Sequence, residues 1–219
     1  MISPCCPAAW SNMINVFRTP FFLPRLYPTL LWRNSPDQRD IFLTFDDGPI
    51  PAVTEFVLDT LQSFGAKATF FCIGDNVRKH PGVFQQIVAA GHRVGNHTFH
   101  HVKGWQTPDV QYLEEVRQCD AEMAKHEVAT ELFRPPYGRI KRSQIRALGS
   151  RKIVMWDVLT NDYDRSLSEE DCLAGTLSAT RSGSIVVFHD SLKAERNLRY
   201  VLPRYLEFLA AGGYQFKTL

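Results

Sequence analysis

Two adjacent carboxylates, Asp46 and Asp47, end the apolar run Ile41-Phe42-Leu43-Thr44-Phe45, and Gly48 and Pro49 follow at once. A strand that buries its side chains finishes here on two acids. A buried carboxylate is costly unless it is ion-paired, hydrogen-bonded or metal-bound. Asp-Asp-Gly-Pro is also good turn chemistry, which by itself would account for the stretch. Further along, His97 and His101 stand four residues apart in His97-Thr98-Phe99-His100-His101. On a helical turn that spacing puts both rings on one face, within reach of one ion. Two neutral imidazoles and one carboxylate make a three-ligand set with open positions for water, although such a histidine pair also occurs in plain solvated loops. A metal lowers the pKa of its water from about 15.7 towards 7, so a second nearby carboxylate can take the proton. Neighbouring residues of an extended chain point in opposite directions, which lets one aspartate face the ion and the other its water. His189 ends the apolar run Ser184-Ile185-Val186-Val187-Phe188. It can deliver a proton to a leaving group, or it can be a hydrogen-bonded core histidine.

These groups fall at corresponding places in a repeating pattern. From residue 40 onward an apolar run ends in polar residues, an amphipathic stretch follows, and a glycine closes it. Strands are read at 41–45, 68–74, 92–96, 132–133, 152–159, 184–190 and 214–219. Helices are read over 51–65, 81–91, 107–123, around 143–149, and over 168–180 and 197–213. Thr107 is the expected cap of the third of these, with Val110, Leu113, Val116 and Met123 on its inner face. Ser168, with Asp171 three residues on, is a second cap. About seven strands alternating with helices imply parallel strands with right-handed crossovers. No glycine-rich phosphate loop follows the first strand, as a dinucleotide-binding sheet would want. The expectation is an α/β fold: a distorted (β/α)7 TIM-like barrel of parallel strands with an N-terminal arm. In a barrel the strand ends collect at one rim, where chemistry is done. At those ends stand Asp46-Asp47, the histidines 97 to 101, Arg134-Pro135-Pro136-Tyr137-Gly138, Asn161-Asp162-Tyr163 and His189.

Composition narrows the classes. The 219 residues are 44% hydrophobic and 22% charged, enough for a sizeable core in one domain. A net charge of +2 without a Lys/Arg block gives no sign of a nucleic-acid partner. Five cysteines at irregular spacing argue against a disulfide framework; Cys72, Cys119 and Cys172 read as core residues, and Cys5-Cys6 has no partner motif. The first residues lack a basic start with a continuous apolar run, so no secretory signal is read, the location defaults to the cytoplasm, and Met13 stays open as the start. Residues 14–32 are aromatic and apolar, but Arg18, Pro20, Pro24, Arg25 and Pro28 interrupt them, which excludes a transmembrane segment. The division read is an arm over 1–39, packed on a catalytic domain over 40–219, with a peripheral membrane contact through the arm left open. Oligomeric state is not legible.

Together these residues resemble the polysaccharide deacetylase family, the NodB-homology domains. Thr44-Phe45-Asp46-Asp47-Gly48-Pro49 is similar to its first motif, His97-Thr98 with His101 to its second and Arg134 to Gly138 to its third. Val187-Phe188-His189 is similar to its fifth motif, with Val187 where leucine is usual. The resemblance implies metal-dependent removal of an acetyl group from an N-acetylated saccharide. It implies that Asp47, His97 and His101 hold a divalent metal, usually zinc and sometimes cobalt or nickel. It further implies Asp46 as general base, Arg134 as its orienting partner, the Tyr137 N–H as an oxyanion donor and His189 as general acid. Val187, Tyr163 and Pro136 would contact substrate. The fourth motif departs: its first aspartate is replaced by Leu159, which leaves Asp157 or Asp190 as stand-ins to tune His189. That departure is the one support for a silent sugar-binding module, and two histidines with a carboxylate would also suit a non-haem iron oxygenase.

Overall fold

The computed structural model describes residues 16–36 and 38–219. Cys5-Cys6 and Met13 lie outside the described residues. Eight strands form one sheet: β1 (Asp40–Asp46), β2 (Thr69–Cys72), β3 (Arg93–Asn96), β4 (Leu132–Phe133), β5 (Lys152–Ile153), β6 (Val158–Leu159), β7 (Ile185–His189) and β8 (Gln215–Lys217). Their order is β5-β4-β3-β2-β1-β7-β6, with β8 pairing with the start of β1, and every pairing is parallel. The helices are α1 (Leu23–Leu26), α2 (Val53–Ser63), α3 (Gly74–Lys79), α4 (Pro81–Ala89), α5 (Asp109–Ala124), α6 (Arg142–Ala147), α7 (Glu169–Ala179) and α8 (Glu195–Ala211). The expected α/β barrel of parallel strands is what forms.

β1 lies at the centre because it is apolar on both faces, as a parallel strand covered by helices must be. Ile41, Leu43 and Phe45 are fully buried. The Phe45 ring stacks on Phe70 of β2 at 5.0 Å and on Phe188 of β7 at 5.7 Å. α2 and α8 close over this core with Val57, Leu61, Leu198, Leu202 and Tyr205. The run that ends in Asp46 is therefore among the most tightly enclosed stretches of the chain.

Residues 152–159 are not one strand. β5 pairs with β4 and β6 pairs with β7, so residues 154–157 cross between the two edges of the sheet. Val154, Met155 and Trp156 carry the apolar pattern into the crossing, so it does not report the change of partner. The backbone is held at both ends of the crossing: Val154 N–H donates to Phe133 O at 2.8 Å and Asp157 N–H to Ile185 O at 3.0 Å. The preceding chain supplies the rest. Leu31 N–H donates to Ile153 O at 2.9 Å and Leu31 O accepts from Met155 N–H at 2.7 Å, while Leu159 N–H donates to Phe17 O at 2.9 Å.

α5 begins at Asp109, with Pro108 at the N-cap position. The Thr107 hydroxyl donates to Lys103 O at 2.8 Å and does not cap the helix. The buried stripe is Tyr112, Val116, Cys119 and Met123, whereas Val110 is 83% exposed. The aromatic ring sets the helix phase, and the smaller valine is left in solvent. Ser168 does cap α7, its Oγ accepting the Asp171 N–H at 3.0 Å. Cys72, Cys119 and Cys172 are buried free thiols, and burial pushes Cys172 up to about 12, which leaves it an inert core residue. Among the described residues no helix is long and apolar enough to cross a membrane.

Candidate active site

The C-terminal ends of the strands carry the polar residues. After β1 the chain turns in the left-handed region at Asp47, φ 83°. Simple alternation would send the two carboxylates to opposite faces; this turn brings both to one cavity. Asn76 Nδ2 fixes the turn by donating to Asp47 O at 2.7 Å. The Gly48 N–H donates to Asp190 Oδ1 at 3.0 Å, and Thr54 Oγ1 donates to Asp190 Oδ2 at 2.6 Å. Only glycine fits at 48, since a Cβ there would lie 1.9 Å from Asp190 Oδ2. Burial pushes Asp190 up to about 8, against the pull of those two donors.

The 97–101 segment is a loop and not the helical turn expected: Thr98 has φ 62° and His101 φ 57°. The buried Asn96 organises it. Asn96 Oδ1 accepts the Thr98 N–H at 2.8 Å, and its Nδ2 donates to Val116 O at 2.8 Å and Asp120 Oδ1 at 2.7 Å. The three histidines then part. His100 turns onto Glu115, its Nδ1 2.9 Å from Oε1. His97 Nδ1 donates to Arg134 O at 2.7 Å, which leaves Nε2 facing the carboxylates, 3.9 Å from Asp46 Oδ2 and 3.9 Å from Asp47 Oδ1. His101 Nε2 lies 3.3 Å from the same Asp47 oxygen.

Asp47 Oδ1 is buried and has no hydrogen-bond partner among the described residues. Burial, followed by the neighbouring His101 ring, holds His97 well below the usual histidine range. Burial also lowers His101, against the opposing pull of Asp47. With its Nδ1–H given to Arg134 O, His97 turns the Nε2 lone pair towards that oxygen, and no hydrogen bond from the described residues satisfies it. The ligand atoms of Asp47, His97 and His101 lie within 4.8 Å of one another. An orphaned carboxylate oxygen beside two imidazole nitrogens fits a divalent cation.

Asp46 is differently placed. Its Oδ1 accepts from Arg134 Nη1 at 2.7 Å, and Oδ2 is the oxygen turned towards His97. Arg134 is wholly buried. Its Nη1 also donates to Thr44 Oγ1 at 2.7 Å, Nη2 to Met155 O at 2.9 Å and Nε to Val154 O at 3.3 Å. The guanidinium lies 4.2 Å from the centre of the Phe71 ring, behind Asp46.

On the far side stands His189, whose carboxylate partner is Asp162. Neither stand-in suggested by the sequence reaches the ring: Asp190 is held at the Gly48 turn, and Asp157 binds Arg181 and Ser184. The signal for Asp162 lay in strand register. β6 pairs with β7 with Leu159 beside Val187, so the residues just past Leu159 meet the end of β7. Burial alone would lower the His189 pKa, but the charge and hydrogen bond of Asp162 outweigh it and raise the ring to about 9.

Eight of the ten residues expected at the site, Asp46, Asp47, His97, His101, Tyr137, Tyr163, Val187 and His189, line one cavity of about 520 Å³. Arg134 and Pro136 are buried outside its lining. Leu159, where the fourth motif departs, also lines it, as do Trp156, Arg139, Ser191 and Lys193, which had not been singled out in the sequence. The Tyr137 ring packs 4.6 Å from His101, and the Tyr163 ring meets His189 edge-on at 5.0 Å. Among the described residues, five of the seven non-glycine residues with positive φ, namely Asp47, Thr98, His101, Tyr137 and Asn161, sit in these rim loops. Such concentration of backbone strain is typical of sites whose geometry is imposed by their surroundings. An adjoining cavity of about 530 Å³ between residues 16–32 and the barrel shares Tyr137, Arg139 and Trp156 as a wall, but no carboxylate or imidazole lines it.

The profile of the family described as polysaccharide deacetylase matches residues 33–155. A peptidoglycan-N-acetylglucosamine deacetylase of Bacillus cereus is 30% identical over 199 residues, covering 89% of this chain and 93% of its own length. The peptidoglycan-N-acetylglucosamine deacetylase PgdA of Listeria monocytogenes is 32% identical over 185 residues; the chain spans 38% of that longer protein, and the match covers 83% of this one. In three dimensions the chain is similar to the Bc1960 peptidoglycan N-acetylglucosamine deacetylase, with a TM-score of 0.85, 28% identity, and 92% and 95% of the two chains covered.

Proposed function

This chain belongs to the polysaccharide deacetylase family, and from that premise we propose that it is a metal-dependent hydrolase removing N-acetyl groups from a saccharide containing N-acetylglucosamine. Residues 40–219 are the catalytic domain in this reading and residues 1–39 its arm. Asp47, His97 and His101 would hold a divalent cation, zinc by preference, with cobalt or nickel suited to the same donors. When bound, that ion supplies Lewis-acid polarisation of the amide carbonyl and a water of lowered pKa.

The remaining chemistry belongs to the side chains. Asp46 takes the proton of the attacking water at Oδ2, the oxygen that Arg134 leaves free. Arg134 fixes the angle of that carboxylate. The Tyr137 backbone N–H donates to the oxygen that gains charge as the carbonyl is attacked. His189, held by Asp162, delivers its proton from Nε2 to the departing amine nitrogen. One proton has then passed to Asp46 and one from His189, and the products are acetate and a free amino sugar. Val187 and Leu159 form an apolar wall that suits the acetyl methyl, Tyr163 offers its ring to the sugar, and Pro136 is buried in the turn that carries Tyr137.

The observation that carries this reading is the partnerless Asp47 Oδ1, flanked by two imidazole nitrogens and adjacent to an arginine-held acid. Leu159 no longer favours a silent module, because Asp162 supplies the carboxylate that its replacement seemed to remove. The test is acetate release from N-acetylglucosamine oligomers. Acetate is expected, abolished by a chelator and restored by zinc; oligomer binding without acetate would make the chain a sugar-binding module instead.

A further inference from the structure

The mouth of the catalytic cavity carries charges that the reaction itself does not use. Apart from the acids and imidazoles already given roles, the charged side chains lining it are Arg139 and Lys193, both cations. Lys103 stands at Tyr137, which lines the same cavity. Its Nζ lies 5.0 Å from the centre of the Tyr137 ring, the ring that packs on His101. Lys193 Nζ lies 5.0 Å from the centre of the Tyr163 ring, the ring that meets His189. The Arg139 guanidinium lies 5.4 Å from the Trp105 ring. An aromatic ring backed by a cation therefore flanks both the metal-ligand side and the acid side of the cavity.

Among the described residues, Lys103, Arg139 and Lys193 form no ion pair, and each lies within 5.4 Å of the centre of an aromatic ring. The acid that feels Lys193 is Asp164; it forms no ion pair with the lysine, and its Oδ1 accepts the N–H and hydroxyl of Ser166 at 2.9 and 2.7 Å. A neutral glycan would stack on the rings and leave three cations without counter-charge. A ligand with its own anion would use both: the C–H face of a sugar on the ring, and the anion on the ammonium or the guanidinium fork.

We propose that the site selects N-acetylated saccharides bearing an anionic substituent, a carboxylate or a phosphate, over neutral oligomers of the same length, with Lys103, Arg139 and Lys193 as the anion-recognising groups. The proposal rests on the deacetylase reading for its location and goes beyond it in substrate class.

Three tetrasaccharide probes test it: the neutral N-acetylglucosamine tetramer, a tetramer in which N-acetylmuramic acid alternates with N-acetylglucosamine, and the neutral tetramer phosphorylated on one terminal sugar. An anionic probe is expected to show at least about a tenfold higher kcat/KM for acetate release at low salt, expressed mainly in KM and shrinking as salt is added. The two anionic arms separate carboxylate from phosphate. In the triple variant Lys103→Gln, Arg139→Gln, Lys193→Gln the ratio is expected to fall towards one, and Lys193→Glu alone should lower it. All three side chains are at least partly exposed, so the fold should tolerate these changes. A parent ratio of one or below for both anionic probes, or a ratio unmoved in the triple variant, overturns the proposal. If no probe releases acetate, the deacetylase reading fails. Calorimetric affinities for the same three probes then decide charge selectivity separately, with the same ratio expected.

Discussion

Both oxygens of the Asp162 carboxylate are committed to His189: Oδ2 accepts the backbone N–H at 2.8 Å and Oδ1 the ring Nδ1–H at 2.7 Å. The carboxylate sets the ring orientation, fixes the tautomer and, against burial, raises its pKa to about 9. An acid with a raised pKa is present below that value and lost as pH rises through it. Turnover that needs the protonated ring should therefore fall on the alkaline side near pH 9. In Asp162→Asn that limb should move to lower pH. The profile of kcat/KM against pH reads this directly, and a limb left in place by the substitution would separate Asp162 from the acid.

Asp46→Asn keeps the shape of the side chain and removes its basicity. The expected outcome is a loss of turnover of about 10²-fold or more with the metal retained. Acetate release and metal content measured on the same preparation check it. Deacetylation at the parent rate would remove Asp46 from the base role.

His101→Ala removes a proposed ligand whose side chain is only partly buried, so the fold should persist. The variant should bind zinc weakly or not at all and release no acetate, as should the parent after chelation. Stoichiometric zinc in the purified variant would show that the Asp47 and His97 pair suffices, against the three-ligand assignment.

Arg134→Met should destabilise the protein by about 3–5 kcal/mol, because it strands the Asp46 charge and frees the carbonyls of Val154 and Met155. Urea unfolding measures it. The double variant with Asp46→Asn should recover part of the loss, since the stranded charge is then gone.

His92 offers a test away from the cavity. Its ring lies against Phe70 at 5.2 Å, and Nδ1 accepts the Ala68 N–H at 3.2 Å. Burial, with a contribution from Lys67, lowers it from 6.5 to about 4. Between those values the unfolded chain binds more protons than the folded one, so stability is full above pH 6.5 and declines as pH falls towards 4. The ring is partly open to solvent, which reduces the effect to about 1 kcal/mol. His92→Gln should show a correspondingly smaller loss over that interval in denaturant midpoints.

Much of this arrangement was legible because the chain places its polar residues directly after apolar runs: Asp46 after Phe45, His189 after Phe188. Residue type and order suffice for that. They do not suffice where backbone conformation departs from residue type. Asp47, His101 and Tyr137 adopt left-handed conformations that sequence associates with glycine, and those turns decide which side chains face one another. Asp162 was missed for a different reason, since joining it to His189 needs the β6–β7 register. The 152–159 run misled because an apolar strand looks the same whichever neighbour it pairs with. Val110 misled because one apolar residue fitted the helical spacing while Tyr112 had already set the buried face.

The guanidinium of Arg134 grips Asp46 with one nitrogen and the carbonyls of Val154 and Met155 with the others, and Met155 in turn donates its N–H to Leu31. The aim of the acid is thus borrowed from the stretch that joins the two sheet edges, and that stretch leans on chain from outside the barrel. A change at Leu31, which does not line the cavity, would then be felt at the angle of the Asp46 carboxylate.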